Sequence, residues 1–138
     1  MAVEIEIAYE GGLHCQAKHG PSGRTLTTDA PADNGGKGES FSPTDLVATA
    51  LGTCMMTVIG LLAERHKWNL EGSTVTVRKE MVQTPFRRIG GLPVKISIAN
   101  SASLSAEDRM KIENAAHTCP VHKSLHPDVH SPVEFIYV

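Results

Sequence analysis

The stretch from residue 42 to 62, SPTDLVATALGTCMMTVIGLL, limits what this chain can fold into more than any other. Ser42 can cap a helix, Pro43 suits its first position, and Asp45 completes an S-x-x-D capping box. Val47, Leu51, Met55, Val58, Ile59 and Leu62 then recur at helical spacing, and the segment stays apolar on most sides until Glu64, Arg65, His66 and Lys67. A helix that is apolar nearly all round has to be covered, so this one is read as central and buried. Gly52 and Gly60 cost helix propensity, and close approach of another backbone is a reason to tolerate them. Midway along sits Cys54, either a small packed hydrophobe or a thiol held where water is scarce.

The flanking segments supply strands. Val3, Ile5, Ile7 and Tyr9 alternate with Glu4, Glu6 and Ala8, Glu10-Gly11-Gly12 turns the chain, and Leu13, Cys15 and Ala17 line one face of a second strand. Cys15 therefore reads as a core residue. A third strand spans 24–29, and the Pro-, Gly- and polar-rich run from Ala30 to Phe41 is a loop. Beyond the helix, residues 74–79 and 94–99 alternate as strands, with a loop between them that contains Pro85, Gly90, Gly91 and Pro93. Ser105-Ala106-Glu107-Asp108 is a second capping box and opens a helix to about His117. Cys119-Pro120 interrupts it, one further turn follows over 121–125, and Val133, Phe135 and Tyr137 make a closing strand. The order βββ-α-ββ-α-β implies an α+β fold, an antiparallel sheet wrapped on the central helix, in one domain over residues 1–138.

Composition narrows the function classes. A net charge of -2 and a pI near 6.4 give no reason to expect nucleic acid or a membrane as partner. No uninterrupted apolar run approaches the ~20 residues that a bilayer crossing needs, and MAVEIEIAYE has no basic-then-apolar signal pattern. The expected compartment is the cytoplasm. Three cysteines at uneven spacing do not make a secreted disulfide framework.

Cys54 lies about three turns inside its helix, beyond the reach of the helix dipole. If it reacts, another group must stabilise its thiolate. Cys119 directly precedes Pro120, as a cap residue precedes a first-position proline, so its sulfur would face free backbone N–H groups, or it merely marks a boundary. In HTCPVHKSLHPDVH, residues His117, Cys119, His122, His126 and His130 have ligand chemistry adequate for zinc, but no second pair has finger-like spacing. A polar surface segment explains these histidines better than a metal site does, and the capping box explains Asp45 without catalysis. No metal or organic cofactor is implied.

The string around Cys54, followed 65 residues after it by AAHTCPVHKSL, resembles the OsmC/Ohr family of osmotically inducible and organic-hydroperoxide-resistance proteins. The Asp29 strand end, the Gly-rich loop, the order of the two helices and the closing strand fit as well, so the resemblance spans nearly the whole chain. It implies that Cys54 attacks the peroxide O–O bond and becomes a sulfenic acid. Cys119 then condenses with it to a disulfide, which a cellular thiol or dithiol reduces. It also implies an intertwined homodimer with two sites at the subunit interface.

Two departures stand out. Where the better-studied peroxidases carry a glutamate, this chain has Thr44, and the nearest acid is Asp45, as in a less-characterised redox branch. The turn expected to hold a thiolate-binding arginine reads YEGGLHC, so Arg24 is the nearest substitute in sequence. The reading is thus a thiol peroxidase acting through Cys54 and Cys119, with Asp45 and Arg24 in support. Its rivals are a non-enzymatic binding or redox-sensing protein and a zinc-binding protein.

Overall fold

The alternating N-terminal residues become β1 (Ile5–Tyr9) in the computed structural model, which describes all of Met1–Val138. Together with β2 (His14–His19) and β3 (Thr25–Asp29) it makes an antiparallel sheet in the order β1-β2-β3. The turn between β1 and β2 needs positive φ at Gly11 and Gly12 (83° and 61°), which glycine adopts without strain. Leu13 follows them into the left-handed region at 62°. Register sets Ile7 opposite Ala17, Tyr9 opposite Cys15, and Ala17 opposite Leu26, so one face is apolar. That face is open: Ile5, Ile7, Tyr9 and Leu26 are all exposed, and Cys15 is only half-buried, not the core residue its alternation suggested. The buried Asp29 carboxylate meets His14 Nδ1 at 2.6 Å across the β2–β3 pair.

Residues Met1–Val47 form one compact unit and Ala48–Val138 another, with α1 (Pro43–His66) running through the division. The capping box of α1 closes as its sequence implies. Asp45 N–H donates to Ser42 Oγ at 3.1 Å, and Ser42 N–H donates to Asp45 Oδ2 at 2.9 Å. At the far end Lys67 takes a left-handed conformation and Trp68 N–H reaches back to the Ala63 carbonyl at 2.9 Å, which stops the helix. Within the second unit α1 is the central helix, and its burial is one-sided. Ala48, Leu51, Gly52, Met55, Ile59 and Ala63 are buried, whereas Thr53, Thr57 and Leu61 are exposed. The threonine hydroxyls on the open side donate back to helix carbonyls, Thr53 to Thr49 at 2.8 Å and Thr57 to Thr53 at 2.7 Å. By length and composition this helix could cross a membrane, with a mean hydropathy of 2.0 despite its interrupting threonines and glycines; here its apolar stripe packs into a core.

That core faces a sheet of β4 (Thr74–Val77), β7 (Val94–Ile98) and β8 (Val133–Tyr137), in the order β4-β7-β8. Val75, Ile96 and Phe135 lie abreast on its inner face. A side chain at Gly52 would meet Val77 at 2.9 Å and Val75 at 3.2 Å, so the glycine lets α1 settle on β4. Gly60, expected to serve the same purpose, has open space around it.

Two features were not anticipated. The loop after β4 contains a hairpin, β5 (Glu80–Val82) with β6 (Arg88–Gly91). Moreover β7 and β8 pair in parallel, so the expected antiparallel sheet is mixed in this unit. The physical reason is the crossover between them, which holds α2 (Ala106–Ala116) and α3 (Pro120–Ser124) and returns the chain to run alongside β7. The Ser105–Asp108 capping box opens α2 with both reciprocal bonds made. Tyr137 Oη donates to Glu113 Oε2 at 2.7 Å and the Arg109 guanidinium lies 4.4 Å over its ring, tying β8 to α2.

Candidate active site

Two thiols from distant points in the sequence meet in the second unit. Cys54, on α1, is half-buried at the margin between the packed stripe and the open stripe. Cys119, the cap of α3, has no exposed surface. Cys119 lies close enough to Cys54 for the two side chains to interact, and both are free thiols.

Each thiol is placed by local sequence. Apolar spacing along α1 fixes which side Cys54 lies on, and Gly52 two residues earlier lets that part of the helix press onto β4. Pro120 supplies the first residue of α3, and Cys119 Sγ then accepts the His122 N–H at 3.4 Å. These N–H groups, from His122 and Val121, pull the thiol towards ionisation. Burial pushes it the other way and dominates, and the neighbouring Cys54 side chain adds to the rise, so the Cys119 thiol titrates above its ordinary value. The sulfur of Cys119 thus faces free backbone N–H groups, as a cap residue would, while burial opposes its thiolate. The full enclosure of this sulfur was not legible in the sequence, because it is produced by the tertiary fold.

The other two candidates, Asp45 and Arg24, belong to the first unit. Asp45 is held in the capping box nine residues before Cys54. Arg24 is exposed just ahead of β3, where its N–H donates to Ser22 Oγ at 3.2 Å and its carbonyl accepts from His19. The histidines do not assemble either. No group of three His, Cys, Asp or Glu side chains converges as a metal site. The His117 and His122 rings meet edge to face with centroids 6.4 Å apart, and His126 Nδ1 accepts the Asp128 N–H at 3.0 Å. The zinc reading of this segment therefore lacks a ligand set.

The fold is α+β, with a helix-borne thiol near a second, enclosed thiol in the second unit. The comparisons are more specific. A family model described as OsmC-like protein matches residues 36–134, and the chain belongs to that family. A Psychrobacter arcticus protein named for osmotic stress induction and detoxification response is 40% identical, with a TM-score of 0.88 over 95% of this chain and 93% of that one. The organic hydroperoxide resistance protein OsmC of Legionella pneumophila, 19% identical, shares the fold with a TM-score of 0.77 over 99% of this chain and 97% of its own. OhrB, the organic hydroperoxide resistance protein of Bacillus subtilis, is 16% identical with a TM-score of 0.68 over 98% of each chain. No curated protein matches the chain.

Proposed function

We propose that this protein is a thiol-dependent peroxidase that reduces organic hydroperoxides through Cys54 and Cys119. The observation that carries the reading is the contact between one half-open and one enclosed thiol, brought together from 65 positions apart in sequence. The Cys54 thiolate attacks the terminal peroxide oxygen; the O–O bond breaks, Cys54 becomes a sulfenic acid, and the alkoxide leaves with a proton as alcohol. The Cys119 thiol then attacks the sulfenic sulfur, water departs, and a Cys54–Cys119 disulfide remains. A dithiol or thiol reductant restores both thiols and is itself oxidised by two electrons. No cofactor is required. The names of the Legionella and Bacillus proteins, which share the fold, favour this chemistry over simple ligand binding.

An organic substrate suits the surroundings. Ala50, Val58 and Leu61 lie on the same side of α1 as Cys54, so an alkyl group gains by contact there where hydrogen peroxide gains nothing. The open apolar face of the β1–β3 sheet is a surface a second copy of the chain would cover, which supports a homodimer. The family match crosses the division at Val47, consistent with one OsmC-like domain. Cytoplasm is the compartment in which free thiols and a thiol reductant coexist. Peroxide consumption with a dithiol reductant, compared between alkyl hydroperoxides and hydrogen peroxide, is the test. Faster turnover of alkyl hydroperoxides is expected, and absence of turnover with every peroxide would leave a binding protein.

A further inference from the structure

The two sulfurs differ in how a third sulfur could reach them, and this bears on the reductive half of the cycle. Cys119 is enclosed by its own chain, with none of its surface exposed. Cys54 is half-buried, and Thr53, Thr57 and Leu61 beside it on α1 are exposed. Thiol–disulfide exchange needs the attacking thiolate, the attacked sulfur and the leaving sulfur nearly in line. An attack on Cys119 would have to come through the core that surrounds it; an attack on Cys54 comes from the open side of α1.

We propose that the reductant attacks Sγ of Cys54, so that the mixed disulfide forms on Cys54 and Cys119 is the leaving group. This rests on the peroxidase reading for its physiological setting. The first step is RS⁻ + Cys54–S–S–Cys119 → RS–S–Cys54 + Cys119–S⁻, in which one S–S bond forms and one breaks. A second thiolate of the reductant then attacks its own sulfur in the mixed disulfide, releasing Cys54 as thiolate, so the dithiol ends as a disulfide. The His122 and Val121 N–H groups already aimed at Cys119 Sγ are placed to receive the charge as the bond breaks. Burial then favours uptake of a proton by the departed Cys119, which slows its return attack on the mixed disulfide. The enclosed cysteine thus acts as leaving group in reduction, as it acts as attacking thiol in oxidation.

The test uses the full chain oxidised with diamide, which makes the disulfide without any peroxidase step. Glutathione is added, the reaction is quenched in acid at short times, free thiols are capped with N-ethylmaleimide, and peptides are mapped by mass spectrometry. Glutathione on Cys54 with maleimide on Cys119 is expected; the reverse pattern, or equal labelling, would overturn the proposal. Should the mixed disulfide close again too fast to trap, the single variants decide. Glutathione disulfide is expected to modify Cys54 in C119S at least about tenfold faster than Cys119 in C54S, given the difference in access. Comparable rates would overturn it. Failure of diamide to join Cys54 to Cys119 would count against the peroxidase reading itself, so the two failures are distinguishable.

Discussion

The two units of the chain handle apolar surface in opposite ways. In Ala48–Val138 the interior is built of Leu51, Met55, Ile59, Leu92, Ile96, Ile98 and Ile112, each with no exposed surface, and Cys119 belongs to it. In Met1–Val47 the only buried side chains are polar, Asp29 and Ser42, while Val3, Ile5, Ile7, Tyr9 and Leu26 face outward. A three-stranded sheet with one bare apolar face has strand pairing but no interior of its own. Alternation in a sequence therefore reports which face is apolar, not what covers it. The candidate chemistry lies wholly in the unit that has a core, where an enclosed thiol can exist.

Variants of the three cysteines should break or sharpen that contrast with the largest effects. C54S is expected to lose all peroxide turnover, and C119S to undergo one oxidation and then stall with sulfenic or more oxidised Cys54. C15S, in the unit without a core, should turn over like wild type. Steady-state peroxide consumption and intact-mass measurement separate the three outcomes, and wild-type turnover in both C54S and C119S would move the chemistry elsewhere.

Stability should divide along the same line. Ile96→Ala in the β7 core is expected to cost about 2–5 kcal/mol by denaturant unfolding. Ile7→Ser on the open sheet should cost less than ~0.5 kcal/mol in a monomer. A cost at Ile7 that grows with protein concentration, together with a dimer mass by sedimentation, would show that a second copy covers the sheet. A monomer at micromolar concentration would contradict the proposed homodimer.

A smaller effect concerns ionisation. With the Cys119 thiol held above its ordinary value by burial, it is protonated at neutral pH, and its thiolate fraction grows about tenfold for each pH unit below the pKa. Closure of the disulfide from Cys54 sulfenic acid should therefore speed up steadily from pH 7 to pH 9, as followed by single-turnover thiol loss. A plateau already at pH 7 would mean that the N–H groups of His122 and Val121 outweigh burial. Smaller still is Arg24→Met: Arg24 is exposed in the first unit, and the rate of the first oxidation should change little. A large slowing would draw the first unit into the chemistry.

What the sequence disclosed follows the range of the interactions concerned. Both capping boxes were legible because Ser42–Asp45 and Ser105–Asp108 are local, and so were strands whose alternation is unbroken. The β5–β6 hairpin was not, since Gly90 and Gly91 remove the alternation that would mark a strand; those glycines let Val82 and Glu80 lie close across the pair. Parallel pairing of β7 with β8 depends on a crossover of two helices, which no short window records. The pair Cys54 and Cys119 came from family resemblance, and their contact is a product of the fold. Enclosure of Cys119 was hidden for the same reason, since burial is a property of the folded chain.

The most direct measurement is a thiol count on reduced protein before and after one equivalent of an alkyl hydroperoxide, followed by peptide mapping. Free thiols should fall from three per chain to one, the survivor being Cys15, with Cys54 joined to Cys119 and both restored by a dithiol. A count that stays at three, or a disulfide that includes Cys15, would contradict a peroxidase built on Cys54 and Cys119.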